Sequence, residues 1–218
     1  MKRTNPPRAR RSTQPLGVMK ITTASHSDLD EAVGCLATAF AQDPITGFLL
    51  QTSQGYRERV TQFFSLLMRA RIALKMPVVV ARGTAAIHGA AMGYATVHPE
   101  WPKDLTDDWD RFERAIPGLS DRMAIYDEIA AKGKPAAPHY YLGVIGVDPE
   151  SHGRGIGTQL LRSFCDLSAG DPLSCGVYLE TAQESNLGFY ERAGFVETGR
   201  GNLGSATLWC MYLSHGPR

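Results

Sequence analysis

The sequence predicts a single mixed α/β domain. Its 218 residues are 43% hydrophobic, which is enough to bury one core. Segments with the two-residue alternation of strands take turns with segments that carry apolar residues at helical spacing. No repeat or linker separates them, and the expected order of elements is βα, α, ββ, αα, βα, βα, ββ.

The first half of the chain opens with an alternating strand pattern, "MKITTAS" at residues 19–25. Ser27 and Asp30 have the spacing of a capping box, so a helix is expected there that runs until "QDP" ends it. A second helix is predicted for "YRERVTQFFSLLMRA". Two antiparallel strands joined by a short turn are predicted for "PVVVA" and "GAAMGYATVH".

Residues 101–136 interrupt this pattern with two short helical segments bounded by proline and glycine, which predicts a helical insertion. Four aromatic residues in it have two interpretations, ordinary helix packing or the lining of an acceptor pocket: Trp101, Trp109, Phe112 and Tyr126. Their spacing favours helix packing.

The second half alternates strand and helix patterns and then ends in two strands. "HYYLGVIGVDP" predicts a mostly apolar strand, "TQLLRSFCDLSAG" a helix and "CGVYLET" a short buried strand. A short helix in "NLGFYERAG" is closed by Gly194. The last strands are "FVETGR" and "SATLWCMYL".

The charge of the chain is concentrated at its start. Five of the 23 basic residues lie in residues 1–18, which hold no acidic residue, and this leaves 18 basic against 22 acidic residues in the rest. A slightly acidic domain is atypical of a nucleic-acid-binding protein. Residues 1–18 are expected to be a disordered basic leader before a domain over 19–218, although a transit peptide, a basic arm or a start at Met19 also fit.

Membrane and metal functions find no support in the sequence. No apolar run reaches the roughly 18 residues of a membrane span. The four cysteines show neither a CxxC pair nor a zinc-site spacing with histidine. We expect a cytoplasmic, reduced and metal-free protein.

A glycine-rich stretch, "GVDPESHGRGIGTQLL", lies between a strand and a helix and places glycines at 153, 155 and 157. The free N–H groups and the dipole of a helix N-terminus favour anions, so this turn predicts an anion site. A P-loop would end in Gly-Lys-Ser/Thr, which is missing. The dinucleotide motif GxGxxG fails because its third glycine falls on Thr158 or Leu160.

The segment "HGRGIG" resembles the pyrophosphate loop of the GNAT acyltransferases, in which Gln or Arg is followed by two residues, Gly, one residue, and Gly or Ala. His152 stands where the family usually has Gln or Arg. The similarity extends through "YLGVIGVDPESHGRGIGTQLL" and "YLETAQESNLGFYERAGF", and "TLWCMYL" is similar to the last strand of the puromycin N-acetyltransferase-like bacterial branch. It spans residues 139–213.

This resemblance implies a mixed, mostly antiparallel twisted sheet of six to seven strands, with a splayed central parallel pair and flanking helices. It also implies acetyl-CoA as the acetyl donor. The expected contacts to its phosphates come from His152, Gly153, Arg154, Gly155, Ile156, Gly157 and Thr158. Backbone N–H groups of Ile145, Gly146 and Val147 are expected to hold the thioester oxygen, and Asn186 to cap the following helix and touch the cofactor. Gly143 and Gly146 indicate a bulge or a close approach in this strand.

The resemblance places Tyr190 on the tyrosine that acts as general acid, and a core aromatic beside Phe189 is the alternative. Glu180 is the first candidate for the general base, although its carboxylate could equally bind the cation of the substrate or accept backbone N–H bonds. Three residues before the cofactor strand could instead relay a proton through water: His139, Tyr140 and Tyr141.

The function expected from the resemblance is an acetyl-CoA-dependent N-acetyltransferase that acts on a primary amine of a small molecule. An acetylase of protein N-termini or lysines is an alternative, as is a non-catalytic module that binds acyl-CoA. Nucleic-acid and membrane partners are not expected. A homodimer is suggested only by analogy, because the final strands of this fold often meet a partner.

Overall fold

A computed structural model describes residues 19–216 of the chain, so the expected leader at 1–18 lies outside the described residues. Within them the strands are β1 (Lys20–Thr23), β2 (Val78–Arg82), β3 (Ile87–Tyr94), β4 (Tyr140–Val147), β5 (Gly176–Thr181), β6 (Val196–Leu203) and β7 (Ala206–Ser214). The helices are α1 (Leu29–Ala39), α2 (Pro44–Leu50), α3 (Tyr56–Ala73), α4 (Lys103–Arg114), α5 (Leu119–Gly133), α6 (Ile156–Gly170) and α7 (Leu187–Arg192).

The seven strands form one sheet in the order β1-β2-β3-β4-β5-β7-β6. Neighbouring strands are antiparallel except β4 and β5, which are joined by the crossover helix α6. These two strands pair only at Tyr140 with Val177 and at Tyr141 with Tyr178, and then diverge. The expectation of a mixed, mostly antiparallel sheet with a splayed parallel pair is confirmed.

Helices cover both faces of the sheet because β3 is apolar on both sides. Met92 joins a core with α1 and α3, whereas its neighbour Ala91 joins a second core on the opposite face with α6. Successive side chains of a strand point to opposite faces, so an almost continuous apolar run is what a central strand needs. The two cores fix β4 from both sides and hold its free edge in place.

The helix α2 was not predicted from the sequence. Asp43 is its N-cap and accepts a hydrogen bond from the Thr46 N–H (2.9 Å), and Pro44 occupies the first turn. Both are ordinary helix-start signals. The sequence predicts only that α1 ends at "QDP", because the seven residues of α2 include a glycine and show little periodicity.

The capping box before α1 was predicted two residues too late. Ser25, not Ser27, donates its backbone N–H to the Asp28 carboxylate (2.7 Å). A short 3₁₀ turn at His26–Asp28 precedes α1 and moves the cap toward the N-terminus.

No single helix among residues 19–216 has the length and apolar character to cross a membrane. Taken together, the segments His26–Ala39 and Pro44–Leu50 satisfy the criteria of length and composition, but they meet at a bend of 99°. Leu36 and Leu50 of these segments are fully buried in the core.

Helices α4 and α5 occupy the stretch between β3 and β4. Trp109 and Phe112 pack on Phe63 of α3, with ring centroids 6.1 and 6.3 Å apart. The indole N–H of Trp101 donates to the Tyr94 hydroxyl (2.7 Å). These three aromatic residues therefore pack the helices, as their spacing indicated, whereas Tyr126 hydrogen-bonds to Glu180.

Gly146 lets α1 approach the central strand closely. A Cβ at this position would lie 2.8 Å from Phe40 and 2.9 Å from Leu36. Gly146→Ala is expected to reduce the free energy of unfolding by about 1 to 3 kcal/mol, the range for overpacking a core. Gly34→Ala on the exposed side of α1 is the matched control, because its Cβ meets nothing within 4 Å. It should stabilise the protein by up to about 1 kcal/mol in urea unfolding, and equal losses from both variants would contradict this packing.

Candidate active site

A cleft of about 1040 Å³ opens where β4 and β5 diverge. Its walls come from the segment between α1 and α2, the free edge of β4, the loop before α6, the end of β5 and helix α7. Glu180, Tyr190 and Asn186 line it, together with every expected cofactor-binding residue except Arg154. Residues far apart in the sequence thus meet at one site.

The free edge of β4 presents the backbone polar groups of Ile145 and Val147 to this cleft. The Asp148 N–H donates to the His88 carbonyl beside β3 (2.9 Å), so Gly146, two residues earlier, also points its N–H at β3. This corrects the expectation for Gly146, whose N–H is used by the sheet. Of the three residues expected to hold the thioester oxygen, Ile145 and Val147 direct their N–H groups at the open side.

The loop before α6 is shaped by two left-handed glycines. Gly153 and Gly155 have φ of 77° and 74°, and a Cβ at either position would meet nothing within 4 Å. Glycine is therefore required here by the backbone conformation and not by packing. The first intrahelical bond of α6 runs from the Gln159 N–H to the Gly155 carbonyl (3.1 Å). The preceding N–H groups, from Ile156 to Thr158, stay free to bind an anion.

His152 ties this loop to β4. Its Nε2 lies 3.0 Å from the Val147 carbonyl oxygen. A carbonyl only accepts, so Nε2 carries the proton and Nδ1 is the other ring nitrogen left for a ligand. Arg154 is exposed and forms no ion pair with any residue of 19–216. Its expected contact with the cofactor stays a prediction.

Asn186 stands at the N-cap position of α7, but its side chain makes no capping hydrogen bond. A short 3₁₀ turn at Glu184–Asn186 leads directly into α7, so the residue already has helical backbone angles instead of the extended ones of a usual N-cap. The capping role expected for it is wrong. The side chain instead lines the cleft.

Tyr190 is 5% exposed and packs between Phe189 and Phe195, with ring centroids 5.0 and 5.8 Å apart. Both interpretations of this residue, core aromatic and cleft residue, apply, because the ring packs in the core and the residue also lines the cleft. Burial raises the pKa of Tyr190 above its usual range, and the charge of Asp43 acts in the same direction. The phenol therefore stays protonated at neutral pH.

Glu180 lies on β5 at the inner end of the cleft, surrounded by tyrosines. The Tyr126 hydroxyl donates to its Oε2 (2.9 Å) and lies 3.2 Å from the Tyr141 hydroxyl. Burial raises the pKa of Glu180, and hydrogen bonds from the tyrosines oppose this rise. Tyr178 contributes least to that opposition, because its hydroxyl donates its one proton to the Ala130 carbonyl (2.7 Å).

Glu180→Gln is expected to stabilise the protein at pH 8 but not at pH 4. A carboxyl whose pKa is raised on folding gives its full stability below the unfolded pKa and loses it as the pH rises through the folded pKa. Gln stays neutral and can still accept from Tyr126. The melting temperature at pH 8 should rise by a few degrees, as about 1 kcal/mol gives in a domain of this size.

Glu184→Gln, at an exposed carboxylate outside the cleft, is the matched control for this titration. It should leave the melting temperature unchanged at both pH values. The opposite result is a melting temperature of the parent that rises relative to that of Glu180→Gln between pH 4 and pH 8. It would show that the carboxylate is better stabilised in the folded protein than in water.

The three residues considered as relays lie in different places. Tyr141 faces Glu180, whereas Tyr140 packs on Phe164 of α6 on the other side of the sheet (6.1 Å between ring centroids). His139 is 7% exposed and donates from Nδ1 to the Ala137 carbonyl (2.7 Å), because a carbonyl only accepts. Only Tyr141 is placed to act with Glu180.

Asp43 lines the same cleft and was not recognised from the sequence. Burial raises the pKa of its carboxyl, and hydrogen bonds from Thr46 oppose this rise. The Asp-Pro pair could have indicated the start of α2. Nothing in the local sequence indicates that this helix start faces Tyr190, because that contact depends on the tertiary fold.

The family model of the acetyltransferase (GNAT) family matches residues 55–195, which is more than half of the chain. The N-alpha-acetyltransferase RimI of Mycobacterium tuberculosis is 38% identical over 76 residues. That match covers 34% of this chain and 46% of the relative, so the chain spans less than half of the curated relative's length.

Two solved structures are similar in fold. The crystal structure of histone acetyltransferase HPA2 and related acetyltransferase from Corynebacterium glutamicum is 24% identical, with a TM-score of 0.69 over 91% of this chain and 98% of that one. The PaiA N-acetyltransferase of Thermoplasma acidophilum, solved in complex with coenzyme A, is 14% identical, with a TM-score of 0.56 over 91% of this chain and 99% of that one.

The family model confirms the predicted acetyltransferase family, and the two solved structures confirm the predicted fold. The resemblance to the puromycin N-acetyltransferase-like branch stays a prediction. Because the family model matches from the start of α3 to just beyond α7, and the cleft lies at the splayed strands, the chain belongs to the acetyltransferase (GNAT) family.

Proposed function

We propose that this chain transfers the acetyl group of acetyl-CoA to a primary amine of a small molecule. One observation carries the proposal: a single cleft joins a free helix N-terminus, an open strand edge, a carboxylate and a phenol. These are the four groups that direct acyl transfer to an amine requires.

The outer part of the cleft fits acetyl-CoA. The left-handed Gly153 and Gly155 and the free N–H groups at the start of α6 suit a pyrophosphate, since both geometry and helix dipole favour an anion. The open edge of β4 suits the amide chain of pantetheine, which can pair like an added strand. Acetyl-CoA supplies the acetyl group as a thioester.

The inner part of the cleft supplies the proton transfers. Glu180 takes the proton from the amine nitrogen as that nitrogen forms its bond to the carbonyl carbon, directly or through one water. The N–H groups of Ile145 and Val147 point at the side where negative charge develops on the carbonyl oxygen. Tyr190 donates its hydroxyl proton to the sulfur when the carbon–sulfur bond breaks.

The acceptor end of the cleft favours a cation. Asp43 and Glu180 both line it, and neither forms an ion pair with any residue of 19–216. A half-buried carboxylate without a cationic partner is costly. An incoming ammonium group supplies that partner before it loses its proton, which supports an amine acceptor.

A protein N-terminus is the second candidate acceptor. The similarity of 38% to an N-alpha-acetyltransferase over 76 residues favours it. Both acceptors present a primary amine, so the same catalytic groups serve either one.

A panel of acceptors distinguishes the two. Release of the CoA thiol is followed with a thiol reagent in the presence of small primary amines and, separately, of short peptides with free N-termini. Higher kcat/KM for small amines supports the proposal, whereas turnover of peptides alone supports the second candidate. If acetyl-CoA binds but no thiol is released with either kind of acceptor, a non-catalytic module is favoured. The homodimer and the cytoplasmic location stay predictions.

A further inference from the structure

The geometry points to Tyr126 of helix α5 as a positioning residue that holds the carboxylate of Glu180 in place for catalysis. This inference rests on the proposed function, in which Glu180 is the base. It assigns a role in the site to the helical segment between β3 and β4. The segment otherwise packs against the sheet and α3.

The direction of the hydrogen bonds around Glu180 follows from proton counting. Tyr126 donates its one hydroxyl proton to Oε2 of Glu180 at 2.9 Å. In its 3.2 Å contact with Tyr141 the Tyr126 oxygen can therefore only accept, so the Tyr141 proton goes either to that oxygen or to the carboxylate itself. The two hydroxyls and the carboxylate thus form one hydrogen-bonded chain in which both protons point toward Glu180.

Tyr126 is the member of this chain that comes from outside the sheet. Tyr141 and Glu180 lie on β4 and β5, the two strands that diverge at the cleft. A carboxylate at such an opening has no strand neighbour on its free side to fix its rotamer. The bond from α5 supplies that constraint, and α5 itself is anchored to β6 by Thr198, whose hydroxyl donates to the Gly133 carbonyl (2.7 Å).

The groups that influence ionisation of Glu180 come from four elements. They are Tyr126 and Asp127 on α5, Tyr141 on β4, Tyr178 on β5 and Cys210 on β7. Asp127 opposes the charge on Glu180, and Tyr178 directs its proton at Ala130. The carboxylate therefore depends on Tyr126 and Tyr141 for hydrogen bonds that favour its charged form.

Tyr126→Phe removes one hydroxyl and keeps the ring. Loss of a donor to the carboxylate should raise the pKa of Glu180, and the base must be ionised to act. The acid limb of the kcat/KM profile should move to higher pH by about one unit, a tenfold change in the protonation equilibrium. At high pH the variant should approach the parent in activity, which loss of packing would not allow.

Titration of the glutamate side-chain carboxyl carbon by NMR gives a readout that needs no turnover. The Glu180 signal is identified by its absence in Glu180→Gln. Its midpoint should rise in both Tyr126→Phe and Tyr141→Phe, and stay at the parent value in Tyr212→Phe, whose hydroxyl binds the distant Cys175 carbonyl (2.8 Å). Tyr141→Phe keeps the test decisive if Tyr126→Phe folds poorly.

The outcomes separate the two claims. An unchanged Glu180 titration in both Tyr126→Phe and Tyr141→Phe overturns the positioning role, even if the parent acetylates amines. A shifted titration in a parent background that transfers no acetyl group to any amine or peptide overturns the proposed function instead. A shifted titration with a matching shift of the pH–rate profile supports both.

Discussion

Tyr190→Phe is expected to slow the chemical step of acetyl transfer by about 10² to 10⁴, the usual contribution of a general acid. The substitution removes only the hydroxyl, and the ring that packs between Phe189 and Phe195 stays in place. The departing thiolate must then take its proton from solvent. Single-turnover rates with an acceptor from the panel measure this step.

The phenol is suited to a late proton transfer. Burial raises the pKa of Tyr190, so the hydroxyl keeps its proton until a strong base, the thiolate, forms beside it. Acetyl-CoA affinity and melting temperature should equal those of the parent, because no cofactor contact is removed. Equal single-turnover rates in parent and variant would exclude Tyr190 from the reaction.

Gly155→Glu is expected to abolish measurable acetyl-CoA binding in calorimetry. The new side chain adds a negative charge at the start of α6, where the pyrophosphate is proposed to lie, and it is forced into a left-handed conformation at φ of 74°. Charge repulsion and displaced loop geometry act together. We expect an affinity loss of at least about a hundredfold.

Two controls separate charge from strain. Gly155→Ala introduces the same backbone strain without charge and should weaken binding less. Gly170→Glu adds the charge at the far end of α6, where a Cβ meets nothing within 4 Å, and should leave binding at the parent level. Parent-like affinity in Gly155→Glu would show that the phosphates do not lie at this loop.

The order of the strands and of the long helices along the chain could be predicted, because local sequence patterns determine where each element lies. The run "HYYLGVIGVDP" is apolar on both faces, and β4 does lie centrally with a core on either side. The helix α2 was not predicted, because seven residues give little periodicity. Its N-cap residue, Asp43, faces Tyr190 only in the folded chain. Features that depend on tertiary contacts cannot be predicted from the local pattern of a single sequence.

The candidate site divides in the same way. The loop glycines and Tyr190 could be found because they belong to continuous motifs, and all of them line one cleft. Asp43 lines that cleft from the start of α2, and Tyr126 contacts Glu180 from α5, although the patterns of both helices indicate only packing. Gly146 looked like a cofactor donor because a sequence does not tell which edge of a strand each N–H faces.

The central claim is that one cleft binds acetyl-CoA and passes its acetyl group to an amine. The most direct measurement combines acetyl-CoA, the purified chain and the best acceptor of the panel, and counts free CoA and acetylated amine by mass spectrometry. The account predicts one acetylated amine for each CoA released, at a rate that depends on the amine and falls steeply in Tyr190→Phe. Tight binding of acetyl-CoA with no acetylated product from any amine or peptide would contradict it.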